Sequence, residues 1–197
     1  MRHPLVILLL ILFYNGLVVA GESNFMQVSK AIRADNPKLV SSLVKSGADI
    51  NKIPMGQGMS LLGLAVYFNR EEIVHILINS GANVIDVKGN NILVMACATN
   101  KRNKNIIEAL LKSGVSIDSV NKKNQNCLYS ATISADSEFF SYLINKGANP
   151  NLVVTPNPVI ASSSMSIEEL VDKRIESYSV IKNRITRKSS GGKKTPR

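Results

Sequence analysis

Few side chains in this 197-residue chain could do chemistry. There are two cysteines, Cys97 and Cys127, and two histidines, His3 and His75. A metal site takes three or four converging ligands, and with His3 in the apolar leader, His75 and two distant cysteines do not supply them. A nucleophile needs a positioned base, and no pairing through histidine is available. No Gly-rich phosphate loop and no HExxH motif occurs. The acidic pair Glu71-Glu72, echoed by Glu168-Glu169, sits where a helix opens, and negative charge there favours the helix dipole. That reading outweighs acid–base work. The inventory implies a non-enzymatic protein with no cofactor and no metal.

Charge sits at the end of the chain. The net charge is +10, and residues 179–197 hold seven basic side chains and no acidic one, so the rest is close to neutral. With Ser189-Ser190-Gly191-Gly192 inside it, this tail is expected to be disordered. It could touch an anionic surface. Nucleic acid is disfavoured, because aromatics are not interleaved with the charges. At the other end, residues 5–13 are unbroken apolar, and Leu17-Val18-Val19-Ala20 follow a Tyr14-Asn15-Gly16 break. This is the layout of a secretory signal peptide cut after Ala20, which implies a periplasmic or secreted protein. The alternative is an uncleaved membrane anchor, although 16 residues fall short of the roughly 20 that span hydrocarbon.

Between the ends, one phrase returns four times: LVKSGADIN, LINSGANVI, LLKSGVSID and LINKGANPN. Its glycines Gly47, Gly81, Gly114 and Gly147 are 34, 33 and 33 residues apart. Such a period marks stacked modules, none of which can bury its apolar face alone. Before each glycine, apolar residues at i, i+1, i+4 and i+5 form the stripe of a core-facing helix: Leu39, Val40, Leu43 and Val44 in the first repeat, and Phe139, Phe140, Leu143 and Ile144 in the fourth. A shorter helix precedes each stripe, aligned on Ala31, Ala65, Ala96 and Ala131, with Ser60, Asn91 and Asn126 as N-caps. The third repeat is two residues longer between alanine and glycine, which predicts a longer inter-helix loop around residues 100–105.

This pattern resembles the ankyrin repeat over about residues 24–178. The family's G-x-T-P-L-H-x-A is matched by Gly58-x-Ser60-Leu61-Leu62-Gly63-Leu64-Ala65, and again at residues 89–96 and 124–131, with Gly63, Val94 and Tyr129 in place of histidine. The resemblance implies an all-α ankyrin-repeat solenoid of about five helix-turn-helix units with short hairpin-like turns. The units fall at about 24–54, 55–88, 89–121 and 122–154, with a degenerate cap at 155–178. In the cap, Glu168-Glu169-Leu170-Val171 aligns with Glu71-Glu72-Ile73-Val74, the start of a second helix. Two cysteines in an exported chain invite a disulfide, but in-register stacking puts Cys97 and Cys127 too far apart to bridge. They are expected to be unbridged, buried small hydrophobes.

The resemblance also implies function. Arrays of this kind bind a partner protein through a concave surface of turn tips and first helices. Carried over position by position, the contact residues are Gln57, Met59, Tyr67 and Phe68, then Val87, Lys88, Asn90 and Thr99, then Lys122, Lys123, Gln125 and Ile133. Tyr67 and Phe68 are the aromatic anchors, with packing under the inter-helix loop as the other role open to Phe68. Lys88, Lys122 and Lys123 would form a basic ridge suited to an acidic partner. The expected protein is an exported binding scaffold. A membrane-anchored adaptor, or an effector delivered into a host cell, would use the same chemistry.

Overall fold

Helices dominate the structure. A computed structural model describes residues 24–53, 58–85, 89, 91–155 and 165–173. The leader, the basic tail, Asn157-Pro158-Val159-Ile160, Gln57, Val87, Lys88 and Asn90 lie outside the described residues. The chain divides into two compact bodies at Ala82/Asn83.

The N-terminal body holds the first two repeats as α1 (Asn24–Arg33), α2 (Pro37–Lys45), α3 (Leu61–Tyr67) and α4 (Glu71–Asn79). First helices α1 and α3 pack together, second helices α2 and α4 pack together, and each first helix packs on its own second helix. The caps follow the sequence: Asn36 accepts from the Leu39 amide and Ser60 from the Gly63 amide. The stripe of α4 buries Ile73, Val74 and Leu77 completely. On α2 only Val40 is buried, and Leu39 stays 44% exposed.

The C-terminal body holds α5 (Ile92–Ala98), α6 (Lys104–Lys112), α7 (Cys127–Ile133) and α8 (Ser137–Asn145), then strands β1 (Val153–Val154) and β2 (Met165–Ser166) and helix α9 (Ile167–Lys173). β1 and β2 pair antiparallel, Val153 opposite Ser166. The α5–α6 connection has five residues where the α7–α8 connection has three, so the insertion lies in that loop as expected. No helix among the described residues is long and apolar enough to cross a membrane.

Each of the first four repeats ends in the same way. In the fourth, the Ala148 amide donates to Leu143 O and the Gly147 amide to Ile144 O, a Schellman closure. Gly147 has φ 101°, which a residue with a Cβ adopts only at a cost. Gly47, Gly81 and Gly114 repeat it at φ 92°, 81° and 94°. Three first helices, α1, α3 and α7, close on the same geometry without glycine, with Asp35, Asn69 and Ala135 left-handed at φ 54°, 59° and 56°.

Two expectations are corrected. Cys97 and Cys127 form a disulfide with a Cα–Cα separation of 5.3 Å. The in-register stack was the faulty premise: the first residue of α7 stands beside Cys97 in the last turn of α5. Ala96 and Ala131, on the same two helices, are small and buried. The second correction concerns the cap. Helix α9 packs against the first helix α7, so it takes a first-helix place and not the second-helix place that aligning Glu168-Glu169 with Glu71-Glu72 implied. A capping box starts it: the Glu169 amide donates to Ser166 Oγ and the Ser166 amide to Glu169 Oε2. Ser166 thus plays the part of Ser60, Asn91 and Asn126, and Ile167, Leu170 and Val171 form the buried face.

Candidate partner-binding surface

In the N-terminal body the surface is built on α3. Leu61, Leu62, Gly63, Leu64, Ala65 and Val66 are all buried, and Tyr67 emerges 60% exposed at the helix end. An exposed ring leaving a buried helix is the kind of side chain that anchors a partner. Phe68, the C-cap residue, is half-buried and meets Tyr67 edge-on at 5.3 Å between centroids. The Arg33 guanidinium lies 5.3 Å from the Phe68 centroid. The two aromatics therefore divide their roles: Phe68 is held between Tyr67 and Arg33, and Tyr67 is presented. Met59 is half-buried at the entry to α3. Arg33 escaped sequence reasoning, since nothing in its spacing sets it apart from other helix-end cations.

In the C-terminal body the surface is the turn at 121–125. Asn121 Oδ1 accepts from the Lys123 and Gln125 amides, and Asn124 is left-handed at φ 54°. This Asx-type turn lifts Lys122 and Lys123, both exposed, to the tip. The turn is fastened to β1: Asn124 Nδ2 donates to Val153 O at 3.1 Å and Gln125 Nε2 to Thr155 O at 3.3 Å. Gln125 is thus a half-buried fastener more than a free contact. Lys122 lies along Gly89, where a Cβ would stand 2.9 Å from Lys122 Cε. Gly89, at φ 71°, makes room for that side chain as well as for the backbone. Exposed Val120 and Val153 add apolar area beside the lysines. Thr99 is half-buried, with its hydroxyl donating to Ala96 O, and Ile133 is half-buried at the end of α7.

Behind this surface the second helices are tied by charge. Glu108 on α6 takes a hydrogen bond from the Tyr142 hydroxyl at 3.0 Å and an ion pair from Lys146, both on α8. Those partners, Lys146 first, hold its carboxyl below the usual carboxylate range. Burial, and then the Glu108 carboxylate, push the Tyr142 phenol well above its ordinary value. Lys104 pairs with Glu138 at 2.7 Å, and Lys104 and Lys146 both lie over the Tyr142 ring. Each group has a partner inside the protein, so the cluster is mechanical. His75 is exposed on α4. Among the described residues no three His, Cys, Asp or Glu side chains converge as metal ligands would.

Residues 62–154 match a family model for ankyrin repeats in three copies, and residues 28–78 match one for ankyrin repeats in many copies. Comparison with curated proteins gave no match.

Proposed function

The chain belongs to the ankyrin-repeat family across residues 28–154, and from that premise we infer that it is an exported, non-enzymatic scaffold that captures one partner protein. Ankyrin repeats generally mediate protein–protein interaction and are typically non-catalytic. The observation that carries the reading is Tyr67, a ring 60% exposed at the end of a helix otherwise buried. Lys122 and Lys123 favour an acidic patch on the partner, and the basic tail favours an anionic one. A photo-crosslinking residue at Tyr67, and separately at Lys123, should yield one and the same adduct. The same residue at exposed His75, on a second helix, should not. Equal adducts at all three positions would reject the surface.

Export with the leader removed is the second part of the reading. The signal-peptide layout supports it, and so does the Cys97–Cys127 bridge, since disulfides persist in oxidising compartments. N-terminal sequencing of the mature chain should begin at Gly21. A retained leader would favour the anchored adaptor.

A further inference from the structure

We propose that the Cys97–Cys127 bridge is a one-way oxidative latch, formed while the C-terminal body is still open and sealed against reductants once α5 and α7 pack. Both cysteines have no exposed surface in the folded chain. Thiol–disulfide exchange requires a sulfur to be reached in line by an attacking thiolate, and neither sulfur can be reached here. The exchange therefore belongs to an open form. In that form one cysteine thiolate displaces a sulfur of a disulfide-bearing oxidant, either an oxidised small thiol or a thiol oxidoreductase. The second thiolate then displaces that mixed disulfide. Two protons leave the cysteines, two electrons pass to the oxidant, and it departs as two thiols.

Position makes this bridge a latch rather than a general staple. Helices α5 and α7 have seven residues each, far too few to hold helical form alone, so their order depends on packing against each other. The bridge closes a segment with a sequence separation of 30 that contains the five-residue loop, α6 and the turn carrying Lys122 and Lys123. Cys127 is the first residue of α7, two beyond Gln125, so the bridge fixes the root of that turn. The N-terminal body has no cysteine, and its first two repeats are joined by non-covalent contacts, among them the Arg70–Asp35 pair and Arg33 over the Phe68 ring. Before oxidation the C-terminal body can still open, as transfer through an export channel needs. After oxidation it is fixed. That ordering uses the export reading, but whether the bridge forms, is sealed and stabilises does not depend on it or on any partner.

The test uses the full chain purified from the cells that make it, with no reductant added. Maleimide labelling in urea should find no reactive thiol. Dithiothreitol should open the bridge at least about tenfold more slowly in the native chain than in urea, because access requires local unfolding. Reduced chain and the Cys97→Ala/Cys127→Ala variant should both melt more than about 10 °C below oxidised chain. If the variant fails to fold, reduced chain alone carries the comparison. Free thiols in the purified chain, a bridge between two chains on a non-reducing gel, equal reduction rates, or coincident melting would each overturn the latch. Retention of the leader with the bridge intact would count against the cleaved, secreted form and leave the latch standing.

Discussion

Arg102, in the longer loop of the third repeat, reaches into the fourth and pairs with Asp136. The same guanidinium donates from Nε to Cys97 O at 3.3 Å and from Nη2 to Ser130 O and Ser134 Oγ, and it lies 5.2 Å from the Phe139 centroid. Asp136 is engaged twice, because its other oxygen caps α8 by accepting from the Phe139 amide at 2.8 Å. Where α1, α3 and α7 close on backbone bonds around a left-handed residue, α5 has side chains at its end, the Arg102 guanidinium on Cys97 O and the Thr99 hydroxyl on Ala96 O. The insertion thus substitutes a side-chain clamp for a backbone closure, at the same junction that the disulfide crosses.

Arg102→Ala should therefore destabilise the C-terminal body by ~2–3 kcal/mol, through a partly buried pair, a lost carbonyl partner and lost stacking. Arg102→Lys should recover little, since a point charge cannot make the forked contacts. Arg70→Ala in the N-terminal body is the control. Its partner Asp35 is 55% exposed, so that pair is worth less than about 1 kcal/mol. Denaturant midpoints for the three variants give the comparison, and equal costs for Arg70 and Arg102 would refute the clamp.

Ala135 offers the opposite sign. It is exposed, yet held left-handed at φ 56° to close α7, where Asp35 and Asn69 tolerate the same geometry better. Ala135→Gly should stabilise the chain by about 0.5–1 kcal/mol by removing the Cβ clash. Gly147→Ala should destabilise it by about 1 kcal/mol or more. No atom lies within 4 Å of where that Cβ would stand, so the cost would be conformational and not steric. Paired thermal melts distinguish the two signs.

The glycines, the three N-caps and the site of the insertion were legible because each is a local requirement: a left-handed residue, a side-chain acceptor, a residue count. What escaped notice depends on how neighbouring repeats seat. Helix register decided the Cys97–Cys127 bridge, and a stack drawn in register cannot show the start of α7 beside the end of α5. The cap was misplaced because Glu168-Glu169 matches the acidic opening of α4, although Ser166-x-x-Glu169 is a capping box visible in the sequence. For the binding surface, Tyr67 and the turn lysines could be placed by position. The division of labour between Tyr67 and Phe68, and the fastening of Gln125, needed the packing of other elements.

The Glu108 cluster sets a dependence on pH. Its carboxyl is held below the ordinary value by Lys146 and Tyr142, so its contribution is present above the unfolded value of about 4.3 and is lost as pH falls through the folded one. Tyr142 is shifted upward, so its contribution is present below about 10 and fades as pH rises beyond that. Glu108→Gln should flatten the acid limb of a stability–pH curve, and Tyr142→Phe should flatten the alkaline limb and weaken the acid one. Side chains here are about a third exposed, so salt should shrink both effects. Unchanged limbs in both variants would separate the cluster from the titration.

Partner capture should divide between the bodies by kind of force. Tyr67→Ala removes an exposed ring that supports nothing beneath it except an edge contact with Phe68, so stability should move by no more than about 0.5 kcal/mol. Affinity for the cross-linked partner should fall at least about tenfold, as for an aromatic anchor, and by the same factor at every salt concentration. Lys122→Glu/Lys123→Glu acts on charge at a turn whose backbone bonds come from Asn121 and Asn124, not from the lysines. The turn should keep its form, while association slows and becomes less sensitive to salt. A salt series of association and dissociation rates separates the two. If the Tyr67 variant behaves like the lysine variant, or both bind as the parent does, the partner sits elsewhere.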